Sequence, residues 1–394
     1  MRSKRCSLYE LAEWKNGLAF KKIDFSDSGK PIIKISELKN GITGQTQFTK
    51  GDYGQEVSLS KGDMVFSWSG NPETSIDVFW YDLPDGWLNQ HIFKIIPAES
   101  VDKKYLYYLL KSFKPTFTAI ASNKQTTGLG HVTIKDLKEI VVNLPEKNIQ
   151  GMIGGYLYSI DKKIYLNKKI NDNLQQQAAA IFRSWFVDYV PFGGTAPDGW
   201  ENVTLEDITA LVSRGITPKY ADDTDQIVIN QKCIRNHMID LSFARNHRPK
   251  VINNKWLRFG DLLINSTGDG TLGRAAQVWF QPHNLTVDSH VTIVRPAAEN
   301  MIFYIGLWGT QHEKEIESLH TGSTGQTELP RDRVKALELL LPDKETLDRI
   351  NALIAPMAGA IVLNQEENNR LASIRDALLP KLMSGEIDVS DVKL

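Results

Sequence analysis

Two segments of the chain carry apolar side chains at alternating spacings of four and three residues. This period is typical of the a and d positions of a coiled coil. The two stripes comprise Ile153, Leu157, Ile160, Ile164, Asn167, Asn171 and Leu174 in the first segment, and Ile350, Ile354, Met357, Ile361, Asn364, Asn368 and Leu371 in the second. Because each pattern continues for about 40 residues, well beyond the usual 8–20 of a globular helix, we predict two long antiparallel coiled-coil helices, at 148–188 and 344–385.

Two asparagines stand at the same place in each stripe. Asn167 and Asn171 match Asn364 and Asn368 at an offset of 197 residues. A buried polar pair weakens packing but fixes register, since a slipped pairing buries amides without partners. We therefore predict that the two helices pair with each other. The alternative, that each helix packs as an ordinary amphipathic helix on its own domain, stays open.

The segments before the two helices consist of short apolar runs separated by Gly, Pro, Asn and Asp. Examples are the runs at 31–35, 64–68 and 92–96. Such runs predict strands, and shorter helices are predicted around 103–111 and 300–308. The expected fold class is α+β, with two similar mixed α/β domains at 1–147 and 189–343 that are joined by the long helices. A short tail follows at 386–394.

The second half of the chain repeats the first. Gly62–Phe66 matches Gly260–Ile264 at an offset of 198 residues, and the Leu-Pro pair at Leu144 matches the pair at Leu341 at an offset of 197. This period is too long for a solenoid unit and indicates a duplicated domain. We expect an internal pseudo-twofold repeat. The copies diverge mainly in their first parts, which predicts domains of one topology with different surfaces.

Composition places the chain among ordinary globular proteins, with 41% hydrophobic and 24% charged residues in a length of 394. It contains no uninterrupted run of about 18 apolar residues, so we expect no membrane-spanning segment. The basic start of the chain is not followed by an apolar stretch, which argues against a secretory signal. Two cysteines, Cys6 and Cys233, are too few for a four-ligand zinc site and fit a reduced, cytoplasmic protein.

Charge is distributed unevenly around a net value of −1. Residues 1–147 carry 20 basic and 17 acidic side chains, whereas residues 188–343 carry 15 and 20. Nonspecific DNA affinity comes from the neutralisation of phosphates. Any DNA binding would therefore depend on local basic loops or on help from partners.

Two motifs of nucleotide and methyl-transfer enzymes occur only in incomplete form. Residues 268–273 fit the dinucleotide fingerprint by letter, but a strand-like run follows where a pyrophosphate site needs a helix N-terminus. Residues 71–74 begin like the catalytic tetrapeptide of adenine methyltransferases. However, Glu73 and Thr74 supply neither its second proline nor the aromatic ring that holds a flipped base. These motifs therefore give no indication of methyl transfer or of nucleotide hydrolysis.

Several stretches resemble the specificity subunits of type I restriction–modification systems. The most specific of them close the two predicted long helices, at Phe182–Tyr189 and Leu378–Ile387. The loops at 66–72, 126–131, 268–274 and 321–326 resemble the family with moderate specificity. The resemblance extends over essentially the whole chain. It implies two target recognition domains, each followed by a long helix.

By that resemblance, each recognition domain reads one half of a bipartite, asymmetric double-stranded DNA target, and the helices set the spacer. The paired helices would also dock two modification (methyltransferase) subunits, and restriction subunits would join through that core. The resemblance implies that this chain is not itself an enzyme, and it implies no cofactor, metal or membrane for it. S-adenosylmethionine, ATP and Mg²⁺ would belong to the partner subunits, and the complex would serve host defence.

Candidate DNA-contacting residues are polar or basic side chains in the predicted loops. Arg matches guanine edges and Asn or Gln matches adenine edges, while Lys and backbone amides reach phosphate. The strongest basic cluster is 245–250, although a solvated loop is the usual fate of such a run. The full set is Gln45, Gln47, Lys50, Ser69, Asn71, Lys124, Gln125, Arg235, Arg245, Asn246, His247, Arg248, Lys250, Thr271, Arg274, Ser323 and Thr324.

Other functions stay open on the sequence alone. One is a non-catalytic scaffold whose two domains bind protein partners, and another is the specificity subunit of a related type II system with bipartite recognition. The missing motifs argue against a standalone nuclease or methyltransferase. If the domains are DNA readers on helices of about 60 Å, half-site centres about 10 base pairs apart would let both domains face the same side of the duplex.

Overall fold

The structure, a computed structural model, describes residues 3–125, 128–248, 252–322 and 327–389. The chain separates into two compact units. The first combines Met1–Ile164 with Arg370–Leu394, and the second is Tyr165–Asn369. Each unit therefore contains one α/β domain together with a stretch of each of the two long helices.

The first unit starts with twelve described strands and four short helices that lead into the first long helix. The strands are β1 (Ser3–Ser7), β2 (Ala12–Asn16), β3 (Lys30–Ile33), β4 (Phe48–Thr49), β5 (Ser58–Leu59), β6 (Met64–Ser67), β7 (Ser69–Gly70), β8 (Asp77–Trp80), β9 (Gly86–Leu88), β10 (Ile92–Pro97), β11 (Gly130–His131) and β12 (Val141–Pro145). The helices are α1 (Ile35–Asn40), α2 (Lys103–Ser112), α3 (Lys114–Asn123), α4 (Ile134–Glu139) and the long α5 (Lys147–Phe186).

The second unit repeats this plan with eleven described strands and leads into the second long helix. The strands are β13 (Glu201–Thr204), β14 (Thr209–Arg214), β15 (Ile227–Ile229), β16 (Ile234–Arg235), β17 (Met238–Ile239), β18 (Arg245–Asn246), β19 (Leu262–Asn265), β20 (Ala275–Gln277), β21 (Leu285–Val287), β22 (Val291–Pro296) and β23 (Glu338–Leu341). The helices are α6 (Ile302–Gln311), α7 (Glu313–Ser318), α8 (Arg331–Lys335) and the long α9 (Lys344–Ser384).

The two domains share one topology. A central antiparallel sheet has the order β2-β10-β6-β8 in the first domain and β14-β22-β19-β20 in the second. A second sheet pairs β3 with β9 in parallel in the first domain, and β15 with β21 in parallel in the second. In each domain the first strand also pairs with the last, β1 with β12 and β13 with β23. The predicted fold of two similar mixed domains with long helices is confirmed.

Close backbone packing explains one pair of glycines that stand 198 residues apart. At Gly17 a Cβ atom would lie 2.2 Å from the carbonyl oxygen of Asn89, and at Gly215 it would lie 1.9 Å from that of Val287. Each glycine therefore lets the chain pass close to the backbone at the end of the equivalent parallel strand, β9 in the first domain and β21 in the second.

The domains differ in the segment that follows the first strand of the parallel pair. After β3 the first domain forms the helix α1, whereas after β15 the second domain forms the hairpin β16–β17. Asn236 and His237 make the two-residue turn of that hairpin, with φ of 50° and 60°. Positive φ at both positions defines a type I′ turn, whose twist matches that of the flanking strands.

The apolar core of each unit includes the end of a long helix. In the first unit Leu382 of α9 is buried against a core that contains Phe66 and Tyr105. In the second unit Phe182 and Phe186 of α5 pack against Tyr304. Full burial of one such side chain stabilises a fold by about 1.5–3 kcal/mol, so both helix ends are integral to the domains that they contact.

By length and composition alone, α9 could cross a membrane, since it contains an 18-residue window of mean hydropathy 1.3. Helices in protein cores pass the same test. Ile350, Ile354 and Ile361 are fully buried in the core of the second unit. This packing accounts for part of the apolar character of the helix, because 33% of that window is buried.

Candidate nucleic-acid interface

Predicted DNA-contacting residues lie at the same sheet edge in both domains. In the first domain β4 pairs antiparallel with β3, and Gln45, Gln47 and Lys50 stand immediately around it. In the second domain β18 pairs antiparallel with β15 and contains Arg245 and Asn246. We call these two regions the sheet-edge surfaces.

The sheet-edge surface of the first domain is polar and partly preorganised. Gln45 and Lys50 are exposed. The half-buried Gln47 accepts a hydrogen bond from the ammonium of Lys34, which also lies 5.7 Å from the ring centroid of Phe25. The amide of Gln47 is thus held in one orientation next to a cation.

Arginines dominate the sheet-edge surface of the second domain. The guanidinium of Arg245 stacks 3.6 Å from the ring centroid of Tyr220. Asn246 donates from Nδ2 to the carbonyl oxygen of Thr224 at 2.6 Å. Arg248 is exposed and lines a cleft of about 920 Å³ together with Thr224 and two aspartates, Asp223 and Asp225.

The structure corrects the prediction at His247. Its side chain is 0% exposed, so it cannot reach DNA in this conformation. Neither of its ring nitrogens has a hydrogen-bond partner among the described residues. The surrounding run is polar, but His247 directly follows the short edge strand β18, and its side chain points into the domain. The prediction for Lys250 falls outside the described residues.

A second correction concerns Ser69, the first residue of β7. Ser69 is 4% exposed, and its Oγ forms a hydrogen bond with Nδ1 of His131 at 2.9 Å. The reason is that β7 pairs with β11, which places His131 directly opposite Ser69. Asn71, two residues on, is exposed, but its Oδ1 accepts from the backbone N–H groups of Glu73 and Thr74 and so closes a turn.

Lys124 and Gln125 are both exposed at the end of α3, and Lys124 also forms an ion pair with a buried carboxylate. The ammonium of Lys124 pairs with the buried Asp136. Burial raises the pKa of that carboxyl, and the hydrogen bonds from Lys124 and Thr133 outweigh this effect and lower it overall. Lys124 therefore stabilises the start of α4 as well as adding positive charge.

Three further predicted residues of the second domain come together in one cleft. Arg235, from the β16–β17 hairpin, faces Thr271 and Arg274, from the loop between β19 and β20, around a volume of about 860 Å³. The remaining lining residues, none of them predicted, are Asn236, His237, Asp269, Gly270 and Glu313. We call this site the hairpin cleft. The predicted residues Ser323 and Thr324 lie outside the described part of the chain.

Hydrogen bonds fix the walls of the hairpin cleft. Arg274 donates from Nη2 to the carbonyl oxygen of Gly270 at 2.7 Å, and Arg235 lies 5.0 Å from the ring centroid of Phe243. Nε2 of His237 lies 3.4 Å from a carboxylate oxygen of Glu313. This contact raises the pKa of His237. The sequence could have indicated the hairpin through Asn236, which tolerates a left-handed backbone, but not the approach of the two loops.

The glycine-rich run at 268–273 is a turn between strands. β19 precedes it and β20 follows it. The chain after the run is therefore extended, and this segment lacks the helix N-terminus that a pyrophosphate site requires.

The asparagines of the apolar seam pair across the two long helices within the second unit. Asn167 donates from Nδ2 to Oδ1 of Asn368 at 3.0 Å, and Asn364 donates from Nδ2 to Oδ1 of Asn171 at 2.8 Å. Asn167 also donates to Glu367 at 2.8 Å. Around them Ile350, Ile354 and Ile361 are buried, while Leu174, Met357 and Asn364 are partly buried.

In the first unit the same seam joins the start of α5 to the end of α9. Ile153, Leu157 and Ile160 are buried, and Ile164 and Leu371 are partly buried. Arg375 donates from Nη1 to Oδ1 of Asp161 at 2.6 Å, and the hydroxyl of Tyr108 donates to the other oxygen of Asp161 at 2.6 Å. An ion pair between the two helices thus lies beside the apolar side chains of the seam.

Exposed apolar side chains recur at equivalent positions of the two helices. Leu166 is 44% exposed and its repeat counterpart Leu363 is 67% exposed. Tyr156 is 42% exposed and its counterpart Leu353 is 44% exposed. We call these four residues the outer helix positions. Single exposed apolar side chains are common on protein surfaces, so the recurrence of these four at equivalent positions is the relevant observation.

Comparisons with known proteins agree with this architecture. A family model described as the type I restriction modification DNA specificity domain matches residues 3–176. The specificity subunit of the type I restriction enzyme MjaIX of Methanocaldococcus jannaschii is 27% identical over 332 residues, which cover 77% of this chain and 73% of that protein. The specificity subunit of the type I restriction enzyme HindI of Haemophilus influenzae is 24% identical over 412 residues, which cover 84% and 87%.

A solved structure shares the fold. The S subunit of a type I restriction–modification system from M. genitalium superposes with a TM-score of 0.57 at 15% identity, over 97% of this chain and 96% of that one.

A duplicated α/β domain with polar and basic loops, combined with a match to a DNA specificity domain, defines a DNA sequence-recognition protein. Over residues 3–176 the chain matches the DNA specificity domain of type I restriction–modification systems, and over most of its length it is similar to their specificity subunits, so the resemblance drawn from the sequence is confirmed. Specificity subunits are non-catalytic, and on this similarity the partners of the chain are DNA and other subunits of such a system.

Proposed function

We propose that each α/β domain reads one half of a bipartite double-stranded DNA target. The main support is that the two domains have the same strand order but differ in the segment that follows β3 in the first domain and β15 in the second. A common scaffold with different loops favours readers of two different sequences. The reader domains are 1–147 and 189–343, and DNA contacts come from the exposed candidates of the sheet-edge surfaces and the hairpin cleft.

The long helices, 148–188 and 344–385, set the spacer between the half-sites. The seam asparagines support this role, because their paired amides allow a single register in the second unit. A fixed register gives a fixed overlap of the two helices. The tail at 386–394 follows the second helix. The distance between half-sites would then be a property of the helices and independent of the bases read.

The outer helix positions dock two modification subunits. Leu166 and Leu363 are equivalent in the repeat, and so are Tyr156 and Leu353, so two similar surfaces fit two copies of one partner. Restriction subunits would join through this core. S-adenosylmethionine, ATP and Mg²⁺ would serve those subunits in the cytoplasm, while this chain supplies sequence recognition.

Methylome sequencing of a host with and without the gene tests the reading function. We expect a bipartite adenine-methylation motif with two unlike halves that disappears on deletion and returns on complementation. An unchanged methylome would overturn the proposal and favour a protein-binding scaffold. A motif that persists with a single recognition half would overturn the assignment of one half to each domain.

Substitution tests the docking function. Leu166→Asp and Leu363→Asp should each weaken co-purification of the modification subunit. Leu363→Asp should leave the unfolding transition in place, because its side chain is 67% exposed, whereas Leu166, at 44%, is about half exposed. Val190→Asp is the matched control, since Val190 is 64% exposed and lies outside the two long helices, in a short 3-10 helix (Val190–Phe192). Equal retention of the partner by all three variants would contradict a docking role for these positions.

A further inference from the structure

The hairpin cleft has a charge balance that does not suit a phosphate group. Arg235, Arg274 and His237 line it, but so do the carboxylates of Asp269 and Glu313, and Glu313 already contacts His237. A phosphate in the cleft would face two carboxylates as well as two guanidinium groups. An interleaved set of donors and acceptors matches the edge of a base pair instead, because a base pair itself presents both kinds of group.

The donors of the cleft are held in place before any ligand arrives. Arg274 uses one N–H of Nη2 to bind the carbonyl oxygen of Gly270, which fixes the plane of its guanidinium group and leaves its other N–H groups available. Arg235 lies over the ring of Phe243 and extends from a two-residue hairpin whose turn is rigid. A fixed guanidinium fork matches the two adjacent acceptors of guanine, O6 and N7, better than it matches any other base edge.

The acceptors of the cleft differ in availability. Glu313 already accepts a hydrogen bond from the backbone N–H of Ala275 at 2.6 Å and contacts His237. Asp269 is exposed and has no hydrogen bond or ion pair within the described part of the chain. A free carboxylate next to a guanidinium group can accept from N4 of cytosine, the donor that a G·C pair presents in the major groove.

We propose that the hairpin cleft reads a G·C pair in the half-site of the second domain, with Arg274 donating to guanine and Asp269 accepting from cytosine. Arg235 supplies a second donor on the opposite wall. The proposal rests on the proposed function and names a base pair that this domain selects. The first domain forms α1 where the second forms the hairpin, and in its loop between β7 and β8 the side-chain oxygen of Asn71 closes a turn. This mode of selection therefore belongs to the second half-site.

The test uses the full chain in complex with its modification subunits and measures methylation of duplexes in which each position of the second half-site is varied. Arg274→Ala should lower discrimination at one G·C position by about 5- to 150-fold, which is the factor that corresponds to about 1–3 kcal/mol for a bidentate contact. Asp269→Ala should relax the same base pair. Arg331→Ala is the matched control, because Arg331 is an exposed arginine on α8, and it should leave the motif unchanged.

The outcomes separate this proposal from the function on which it rests. Loss of discrimination at an A·T pair, in the half-site of the first domain, or equally for all sequences would overturn the G·C assignment, and so would unchanged discrimination in a folded Arg274→Ala complex. Arg274→Lys gives a second variant that keeps the charge and removes the fork, and it should also relax the position. Absence of any bipartite methylation by the native complex would instead overturn the proposed function.

Discussion

The side-chain amide of Asn167 donates to the side-chain oxygen of Asn368 across the helix seam at 3.0 Å. The two residues are not repeat counterparts, since Asn167 matches Asn364 in the sequence. In an antiparallel pair the earlier asparagine of one helix meets the later asparagine of the other, and the pair of Asn171 and Asn364 completes the exchange. Duplication of one asparagine pair has therefore produced two hydrogen-bonded pairs.

Removal of one partner in the second of these pairs should cost more than removal of both. Asn171→Leu leaves the amide of the half-buried Asn364 without its acceptor, which should lower the free energy of unfolding by about 1–3 kcal/mol. The double variant Asn171→Leu with Asn364→Leu should recover most of that loss, keep the helix content and loosen discrimination of spacer length. Urea unfolding of the single and double variants measures the stability effects, and strictly additive losses would contradict the pairing.

The two crossing glycines should respond alike to a methyl group. Gly17→Ala and Gly215→Ala each place a Cβ within about 2 Å of a carbonyl oxygen of the neighbouring strand. The backbone must shift, and overpacking of this kind costs about 1–3 kcal/mol or more. Gly44→Ala is the control, because nothing lies within 4 Å of the Cβ atom that this substitution adds. Thermal unfolding compares the three, and a loss at Gly44 equal to that at the other two would refute the steric explanation.

Acid should destabilise the first domain through Asp77. Its carboxylate accepts from Lys111 at 2.9 Å and from Lys114 at 3.0 Å. Burial raises the pKa of Asp77, but the two ammonium groups outweigh burial and leave the pKa below its ordinary value. The stabilisation is therefore present above the unfolded pKa of about 4 and is lost as the pH falls through the lower folded value.

Asp77→Asn should lower the free energy of unfolding at neutral pH by about 1.5 kcal/mol, the lower end for a hydrogen bond to a charged group. The variant should also flatten the acid limb of the stability curve. Asp27→Asn, at an exposed position, is the control. Denaturant unfolding between pH 3 and pH 7 measures both, and parallel acid limbs for native protein and Asp77→Asn would count against the ion-pair account.

Asp288 in the second domain should behave in the opposite way. It is 3% exposed, and burial raises its pKa, although the backbone N–H of His290 and the His290 ring act against this shift. Stability is then greatest below the unfolded pKa and declines as the pH rises through the folded one. Asp288→Asn keeps an acceptor for His290 and should raise stability at neutral pH. The gain in free energy of unfolding of Asp288→Asn over native protein should be larger at pH 7 than at pH 4. A smaller gain at pH 7 would contradict a raised pKa of Asp288.

Exchange of the second reader should alter one half of the target. Replacement of residues 201–341 retains Trp200, whose ring lies 5.7 Å from that of Phe186 at the end of α5. An exchange that starts at residue 195 removes this contact unless the donor has an aromatic residue there, and should give a less stable hybrid. Methylome sequencing of hosts that express each hybrid reports the motif. A change in both halves would disprove modular reading.

The long helices could be predicted because their signal is local and repeated. The seam alternates by four and three residues along the whole stripe, so errors at single positions do not matter. The burial of His247 and Ser69 could not be predicted, since it depends on strand pairing between distant segments. The hairpin cleft likewise joins residues about 40 positions apart, and neither Asp269 nor Glu313 carried a signal of its own.

The first compact unit is assembled from two separate stretches of chain, and it draws Leu378, Leu382 and Met383 into its core. During synthesis, the first reader therefore leaves the ribosome with part of its apolar surface uncovered and can be completed only when residues 378–383 have emerged. A frameshift or stop codon before these residues would accordingly damage the first reader, although its own sequence is intact.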